Sequence, residues 1–404
     1  MMFHLLPHMM KLVWKRKSRN LMVSLEILVA FVLVFGVAAV GARMAQLYRM
    51  PTGFQYQDVW SVRMRAPDLT DANYDSGRFD AYKRAVEAMP AVEKAAFSTF
   101  SPYRRQIQSN NFVPPGGGAR VVTHMISASD DYAAVAGMRL AEGRWFGPQD
   151  DGAATVAVVI DQRLAQKVFP GGPALGRKFS DSEQEDKSPR TLKVVGVIEA
   201  FRSQGELMSP EPFMFVRFDA ANSKDRVETM VIKVRPGTTR AFEADLNRRL
   251  KLVRNDISYE IAPLADLRHD ILKESLIALI MFAVIALFML LMVAFGLFGV
   301  LWQSTTLRIP EIGLRRAVGA SASAIYGQIV AEQLLLSSGA MAVALVLLVQ
   351  LPLTRAFGAS LDWSVFGAAT AISMALIYLL SLACSLYPGW RASRLSPTEA
   401  LHYE

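Results

Sequence analysis

The segment IALIMFAVIALFMLLMVAFGLFGVL, which runs from Ile277 to Leu301, is apolar throughout and carries no charged residue. A helix of about 20 such residues crosses the roughly 30 Å hydrocarbon core of a bilayer. Three more segments are long and apolar enough, and they run from about Leu21 to Ala42, Ile325 to Leu351 and Val365 to Tyr387. The sequence therefore predicts four transmembrane α-helices.

A long polar-and-apolar stretch separates the first two spans, at positions 44–273. Its length is sufficient for a domain with its own hydrophobic core. DVWSVRMRA, Asp58 to Ala66, alternates as strands do, whereas GRFDAYKRAVEAM, Gly77 to Met89, has helical spacing. Further runs of both kinds alternate along the stretch. The predicted fold is a membrane protein with four transmembrane α-helices and a large α+β extracytoplasmic domain inserted between the first and second.

The composition argues against a nucleic-acid-binding protein. The 404 residues have a formal net charge of +8, and 52% of them are hydrophobic. The basic residues form no stripe with interleaved aromatics, which nucleic-acid binding would favour. They cluster instead beside the spans, at positions 11–19, 308–316 and 391–394. By the positive-inside rule, all three clusters lie in the cytoplasm, and residues 1–20 read as a cytoplasmic interfacial helix.

Signatures of enzymatic chemistry are missing from the sequence. It contains no GxxxxGK[ST] nucleotide loop, no GxSxG elbow and no HExxH pattern. Cys384, the single cysteine, lies in an apolar run and reads as a packed thiol. The histidines are scattered, at His4, His8, His124, His269 and His402. We therefore expect no catalytic residue, no metal site and no cofactor bound by this chain.

The link between the second and third spans is unusual. It reads RIPEIGLRRAVGAS, Arg308 to Ser321. Pro310 suits a first helical turn, and Glu311 is well placed to pair with Arg315 four residues later. Gly319 favours a helix end, and Ser321 or Ser323 favours the start of the next helix. The stretch predicts a short coupling helix at about 309–319 on the cytoplasmic face; the alternative is a basic loop that only anchors topology.

PEIGLRRAVGAS resembles the cytoplasmic motif of FtsX-like and MacB-like ABC transporter permeases. The C-terminal YPGWRASRLSPTEALHYE resembles their closing segment. ISASDDYAAVAGMRLAEGRWF, VAVVIDQRLAQKVFPGGPALGRKF and VVGVIEAF resemble the MacB-like periplasmic core domain in order and spacing. The resemblance covers nearly the whole chain.

The resemblance implies a domain plan and a location. Residues 1–20 form the interfacial helix, 21–43 the first span, 44–273 the periplasmic core domain and 274–404 the FtsX-like membrane domain. The location is the inner membrane, with several spans, both termini in the cytoplasm and the large domain in the periplasm.

It also implies partners and site residues. Two copies of an ABC-type ATPase would dock on the coupling helix, and ATP and Mg²⁺ would bind to that ATPase. A second copy of the permease or a related permease would complete the dimer in the lipid bilayer, and a periplasmic adaptor is an open alternative. Since only about 20 residues precede the first span, we expect the ATPase on another polypeptide. The implied docking residues are Glu311, Ile312, Gly313, Leu314, Arg315, Arg316 and Gly319, and the C-terminal motif is Pro397, Ala400 and Leu401.

Two carboxylates lie inside predicted spans, Glu26 and Glu332. Charged side chains at the bilayer centre are costly, by about 2.5–3.5 kcal/mol on insertion scales. Two interpretations of each residue are therefore open. It is either an interfacial carboxylate with a polar neighbour or a buried hydrogen-bonding group that fixes helix packing. A proton relay is the third alternative.

The leading functional hypothesis is a permease subunit that couples ATP hydrolysis in its partner to movement of the periplasmic domain, called mechanotransmission, for export or extraction of a substrate. The alternative is a membrane sensor or scaffold whose outer domain signals to a cytoplasmic partner.

Overall fold

The computed structural model describes residues 17–65, 77–112, 121–181, 190–218 and 227–394. The chain divides into two compact units. One, here called the membrane unit, comprises Met1–Gln46 and Ser275–Glu404. The other, here called the sheet unit, is Leu47–Glu274.

The helices are numbered along the chain. They are α1 (Lys17–Tyr48), α2 (Gly77–Glu87), α3 (Tyr132–Val135), α4 (Gln162–Val168), α5 (Ala241–Val253), α6 (Leu264–Thr306), α7 (Ile309–Ala317), α8 (Ala322–Leu348), α9 (Gln350–Thr354) and α10 (Trp363–Ser393).

Four helical segments are long and apolar enough to cross a membrane, which confirms the four predicted spans. They are Leu21–Tyr48, Leu264–Thr306, Ala322–Thr354 and Trp363–Ala392. The second begins well before the predicted Ile277, because the first turns of α6 belong to the sheet unit. There Leu264 is buried in a core cluster, against which Leu267 and Ile271 pack.

The sheet unit contains an 11-stranded mixed sheet among its described residues. Along the sheet the order is β11-β1-β10-β2-β4-β9-β6-β8-β5, with β3 paired to β4 and β7 to β8. The β4–β9 and β6–β8 pairs are parallel and the other pairs are antiparallel. The strands are β1 (Val59–Arg65), β2 (Val92–Ser98), β3 (Gln108–Phe112), β4 (Val121–Ala128), β5 (Leu140–Gly143), β6 (Val156–Asp161), β7 (Lys178–Asp181), β8 (Arg190–Ile198), β9 (Phe213–Arg217), β10 (Thr229–Val234) and β11 (Ser258–Pro263).

Strand β1 shows why these sequences form strands. Trp60 and Val62 point into one core cluster, and Val59 belongs to another on the opposite face. This is the two-residue alternation of a strand with a core on each side. The first cluster is completed by α2 and α5, whose buried residues include Tyr82 and Leu246. The α+β prediction for this region is confirmed.

The membrane unit has its own core. On α1, Val23, Ile27 and Phe31 recur every four residues and are buried there. Between α8 and α10, the hydroxyl oxygens of Ser337 and Ser381 lie 2.7 Å apart in a buried hydrogen bond. Cys384 is buried as a packed thiol, as predicted.

A candidate docking helix between the second and third spans

Helix α7 lies within the range of about 309–319 that the sequence predicts for the coupling helix. It runs Ile309–Ala317 with Pro310 in its first turn. Past its end Gly319 has φ +104°, a backbone conformation that glycine adopts without strain. Ser321 then caps α8, since its hydroxyl accepts a hydrogen bond from the Ala324 amide at 3.2 Å. The structure therefore presents α7 as a short rod between two long helices.

One side of α7 is packed against the membrane unit. Ile309 and Ile312 are 7% and 6% exposed, and Gly313 is buried as well. Ile312 belongs to the same core cluster as the membrane-spanning helices. Ile309 and Ile312 thus hold the helix in place, and neither Ile312 nor Gly313 forms part of its free surface.

Exposed apolar residues lie on α7 at Leu314 and just outside its two ends at Leu307 and Val318. The exposed fractions are 66% for Leu307, 60% for Leu314 and 83% for Val318. Glu311 and Arg315 are also exposed. Glu311 lies three residues before Leu314 and Arg315 three residues before Val318, a spacing that makes residues neighbours on a helix surface. These five residues, Leu307, Glu311, Leu314, Arg315 and Val318, are called the docking face below. Several large apolar side chains exposed close together are typical of a surface that contacts another protein or a membrane.

A chain of hydrogen bonds joins α7 to α8. Arg315 donates to Glu311 Oε1 at 2.6 Å and to Gln328 Oε1 at 2.8 Å. Gln328 in turn donates to Glu332 Oε1 at 3.0 Å. Arg308, just before α7, donates to Glu332 Oε2 at 2.7 Å. Glu332 therefore accepts one bond from Arg308 and one from Gln328, so each of its carboxylate oxygens has a polar partner.

The other predicted residues are placed as follows. Arg316 is partly exposed and Gly319 is exposed. Glu26 is exposed on α1 and lies beside α6, where a Cβ on Gly296 would come within 2.5 Å of its Oε2 atom. Pro397, Ala400 and Leu401 fall outside the described residues, as does most of the predicted interfacial helix.

An aromatic cluster lies at the ends of α6 and α10. The rings of Trp302 and Tyr387 are stacked, with centroids 5.9 Å apart and 6° between their planes. The Arg391 guanidinium lies 4.4 Å from the Trp302 ring centroid. Aromatic rings and basic side chains at helix ends are typical of a membrane–water interface.

Sequence reasoning missed the ion pair between Arg308 and Glu332, which are 24 residues apart. The available signal was the spacing of Gln328 and Glu332, two polar residues four apart near the start of a long and mainly apolar helix. Within residues 17–65, 77–112, 121–181, 190–218 and 227–394, no three His, Cys, Asp or Glu side chains are grouped as metal ligands. The docking face of α7 is suited to binding a partner, and the bonds to Gln328 and Glu332 are suited to holding α7 rigidly against α8.

Two family models match this sequence. The model of the MacB-like periplasmic core domain matches residues 22–249, and that of the FtsX-like permease C-terminal matches residues 283–397. Helix α7 lies inside the second match.

Individual proteins are similar over parts of the chain. A protein of Shewanella sp. (strain ANA-3), the macrolide export ATP-binding/permease protein MacB, is 24% identical over 400 residues, 96% of this chain and 60% of the relative. The protein of the same description from Bdellovibrio bacteriovorus is 25% identical over 279 residues, 65% of this chain and 41% of the relative. The chain thus spans about half the length of the curated relatives it matches. The periplasmic region of MacB from Actinobacillus actinomycetemcomitans has a TM-score of 0.39 and 14% identity, and the match covers 56% of this chain and 97% of that one.

Proposed function

The chain belongs to the family of ABC transporter permeases that join a MacB-like periplasmic core domain to an FtsX-like permease C-terminal region, and we propose that it couples ATP hydrolysis by a separate ATPase subunit to movement of its sheet unit. The proposed work is the export or extraction of a substrate from the periplasmic side. The observation that carries the proposal is the docking face of α7.

The docking face supports the proposal because of what it exposes. Leu314 in α7, and Leu307 and Val318 just outside its two ends, are each at least 60% exposed, although the helix itself is anchored through Ile309 and Ile312. Burying such side chains in an interface contributes about 25 cal/mol per Å² of apolar surface. Glu311 and Arg315 add charges of both signs, which fix the orientation of a partner more than its affinity.

The contacts that attach α7 to α8 support the proposal that a displacement of α7 is transmitted to α8. Its inner side is anchored by Ile309 and Ile312, and the bonds from Arg308 and Arg315 reach Glu332 and Gln328 on α8. A helix held by both packing and charge moves with its neighbour, since packed interiors transmit strain. A push on the docking face would therefore be passed to α8, a candidate membrane span.

The remaining parts of the proposal follow the family. The ATPase would be present in two copies, with ATP and Mg²⁺ bound there. A second copy of this permease or a related one would complete the complex in the inner membrane. Both termini and α7 would lie in the cytoplasm because the basic clusters flank the spans on that side, and the sheet unit would lie in the periplasm. A periplasmic adaptor remains a separate proposal.

The test is purification of the full chain with the ABC-type ATPase that accompanies it, identified by its nucleotide-binding motifs and its ATP hydrolysis. We expect L314D and the double variant R315E/R316E to release that ATPase while the permease keeps its wild-type melting temperature. The matched control is Arg248→Glu, which reverses the charge of an exposed arginine on α5. This variant should leave the ATPase bound. Retention of an active ATPase by L314D would overturn the docking assignment. A kinase or regulator that binds in place of an ATPase would instead support the sensor alternative.

A further inference from the structure

Arg202 is an arginine with almost no exposed surface, in the loop that follows β8. The residue is 1% exposed, in the sheet unit. Its Nη1 atom donates to the carbonyl oxygens of Leu47 at 3.1 Å, Glu206 at 2.8 Å and Met208 at 3.2 Å. Its Nε and Nη2 atoms donate to the carbonyls of Pro51, at 3.1 Å, and Met50. A guanidinium so deeply buried is retained only where several acceptors surround it.

One of those acceptors lies in α1 and two lie in the residues just after it. Leu47 is in its last turn, and Met50 and Pro51 follow it. The final carbonyls of a helix have no partner within the helix and carry partial negative charge. Arg202 thus caps α1 from a loop about 150 residues later in the sequence. The backbone adds a further bond, from the Arg202 amide to the Thr52 carbonyl at 2.9 Å.

The same loop also holds the start of α6. Glu206 is 8% exposed, and its Oε1 atom accepts a bond from Arg268 Nε at 2.5 Å. Arg268, in α6, also donates to the hydroxyl of Tyr48 at 3.2 Å. Its guanidinium lies 4.6 Å from the centroid of the Tyr56 ring. Tyr48 is the last residue of α1, so Arg268 contacts both the loop and the other helix.

Tyr103 packs beneath the loop and leaves little room for change. Its hydroxyl lies 3.4 Å from both carboxylate oxygens of Glu206. Gly205 has φ +85°, and a Cβ there would come within 2.2 Å of the Tyr103 ring. The loop is therefore held by the Tyr103 ring, by the ion pair with Arg268 and by the bond from its own Arg202 to the Glu206 carbonyl.

We propose that Arg202, Glu206 and Arg268 form a clamp that locks the end of α1 to the start of α6, so that these two membrane-crossing helices move together in the sheet unit. The clamp acts through Glu206, whose carbonyl accepts from Arg202 while its carboxylate accepts from Arg268. These three are positioning residues. Their role in transmitting ATP-driven movement rests on the proposed function, whereas the lock itself does not.

The lock is tested by the distance between two nitroxide labels, measured by pulsed electron paramagnetic resonance on the full chain in detergent without nucleotide. The labels are attached at Arg49→Cys and Asp270→Cys, both exposed positions, in a Cys384→Ala background. We expect a single narrow distance distribution for the unaltered clamp. Glu206→Gln and Arg268→Gln should at least double its width, and Arg268→Lys, which keeps the ion pair, should restore most of the narrowness.

The control removes an ion pair elsewhere in the sheet unit. Arg217→Gln breaks the bonds from Arg217 to Asp130 and Asp151 and should leave the distance distribution narrow. The proposal is overturned if folded Glu206→Gln and Arg268→Gln proteins keep the narrow distribution, or if Arg217→Gln broadens it equally. Neither clamp variant alters Arg202, whose replacement could prevent folding. Since no ATPase is present, failure of the docking assignment would not affect this result.

Discussion

Arg308 and Glu332 form a largely buried ion pair that joins the base of α7 to α8. Arg308 Nη1 lies 2.7 Å from Glu332 Oε2, and the two side chains are only 15% and 18% exposed. The pair differs from the Glu311–Arg315 pair on the same helix, whose side chains are 50% and 41% exposed. The buried pair therefore holds α7 to its neighbour, while the exposed one belongs to the docking face.

Glu332→Gln should destabilise the protein strongly. The change keeps the shape of the side chain but leaves the Arg308 charge without its partner, and loss of one member of a buried pair costs about 3 kcal/mol. Glu311→Gln is the matched control, because an exposed pair contributes about 0–1 kcal/mol. Thermal unfolding followed by tryptophan fluorescence should give a much lower melting temperature for Glu332→Gln. Equal melting temperatures for the two variants would contradict this assignment.

Local features of this site could be predicted from the sequence, and distant ones could not. Glu311 and Arg315 pair as their spacing predicts, and Ser321 caps α8 as one of two predicted alternatives. The partner of Arg308 could not be predicted, because it depends on how α7 folds back onto α8. Which apolar side of α7 is free was equally open, since Ile312 and Leu314 are similar in hydrophobicity and only tertiary packing separates them.

Asp161 links the end of β6 to the start of α4 and should make stability depend on pH. Its Oδ1 atom accepts bonds from the amides of Leu164, at 2.8 Å, and Phe213, at 3.0 Å. The residue is fully buried, and Oδ2 has no partner in the structure. Burial raises the pKa of Asp161 to about 6, although the two amide bonds oppose that rise.

The direction of the pH effect follows from this raised pKa. The Asp161 carboxyl makes its full contribution to the stability of the folded state below its unfolded pKa of about 3.9. That contribution is lost as the pH rises through 6. The loss amounts to about 3 kcal/mol at 1.36 kcal/mol per pKa unit. The melting temperature should therefore fall between pH 4 and pH 7, and Asp161→Asn should flatten the decline.

Asp150→Asn is the control for the pH experiment. Hydrogen bonds from Arg144 lower the pKa of Asp150, so its contribution is present above its unfolded pKa and is lost only as the pH falls. Removing that carboxylate should leave the slope between pH 4 and pH 7 as it is in the unaltered protein. The assignment to Asp161 fails if Asp161→Asn retains the full slope.

Gly53 and Gly237 provide a matched pair for the packing beside the clamp. Both have positive φ, +86° and +87°, but a Cβ on Gly53 would lie 1.9 Å from the Ala200 carbonyl oxygen, whereas Gly237 has nothing within 4 Å. Gly237→Ala should lower the free energy of unfolding by about 1–2 kcal/mol, because alanine is strained in the left-handed backbone conformation. Gly53→Ala should cost a further 1–3 kcal/mol, approximately, from overpacking. Thermal unfolding compares them, and similar melting temperatures would refute the close approach.

The architecture of the sheet unit was predictable where patterns are regular, as in β1 and α2. The clamp was not, because Arg202 lies in a loop without periodicity and its acceptors are backbone carbonyls, which have no sequence signature. The parallel pairing of β4 with β9 was equally hidden, since it joins strands about 90 residues apart and depends on the whole fold.

The proposed function requires α7 and the sheet unit to lie on opposite faces of the membrane. The direct measurement is labelling with a membrane-impermeant maleimide in spheroplasts, on a Cys384→Ala background, of Val318→Cys beside α7 and Val122→Cys in β4, positions that are 83% and 58% exposed. We expect Val122→Cys to react in intact spheroplasts and Val318→Cys to react only after permeabilisation. Reaction of both cysteines before permeabilisation would contradict it.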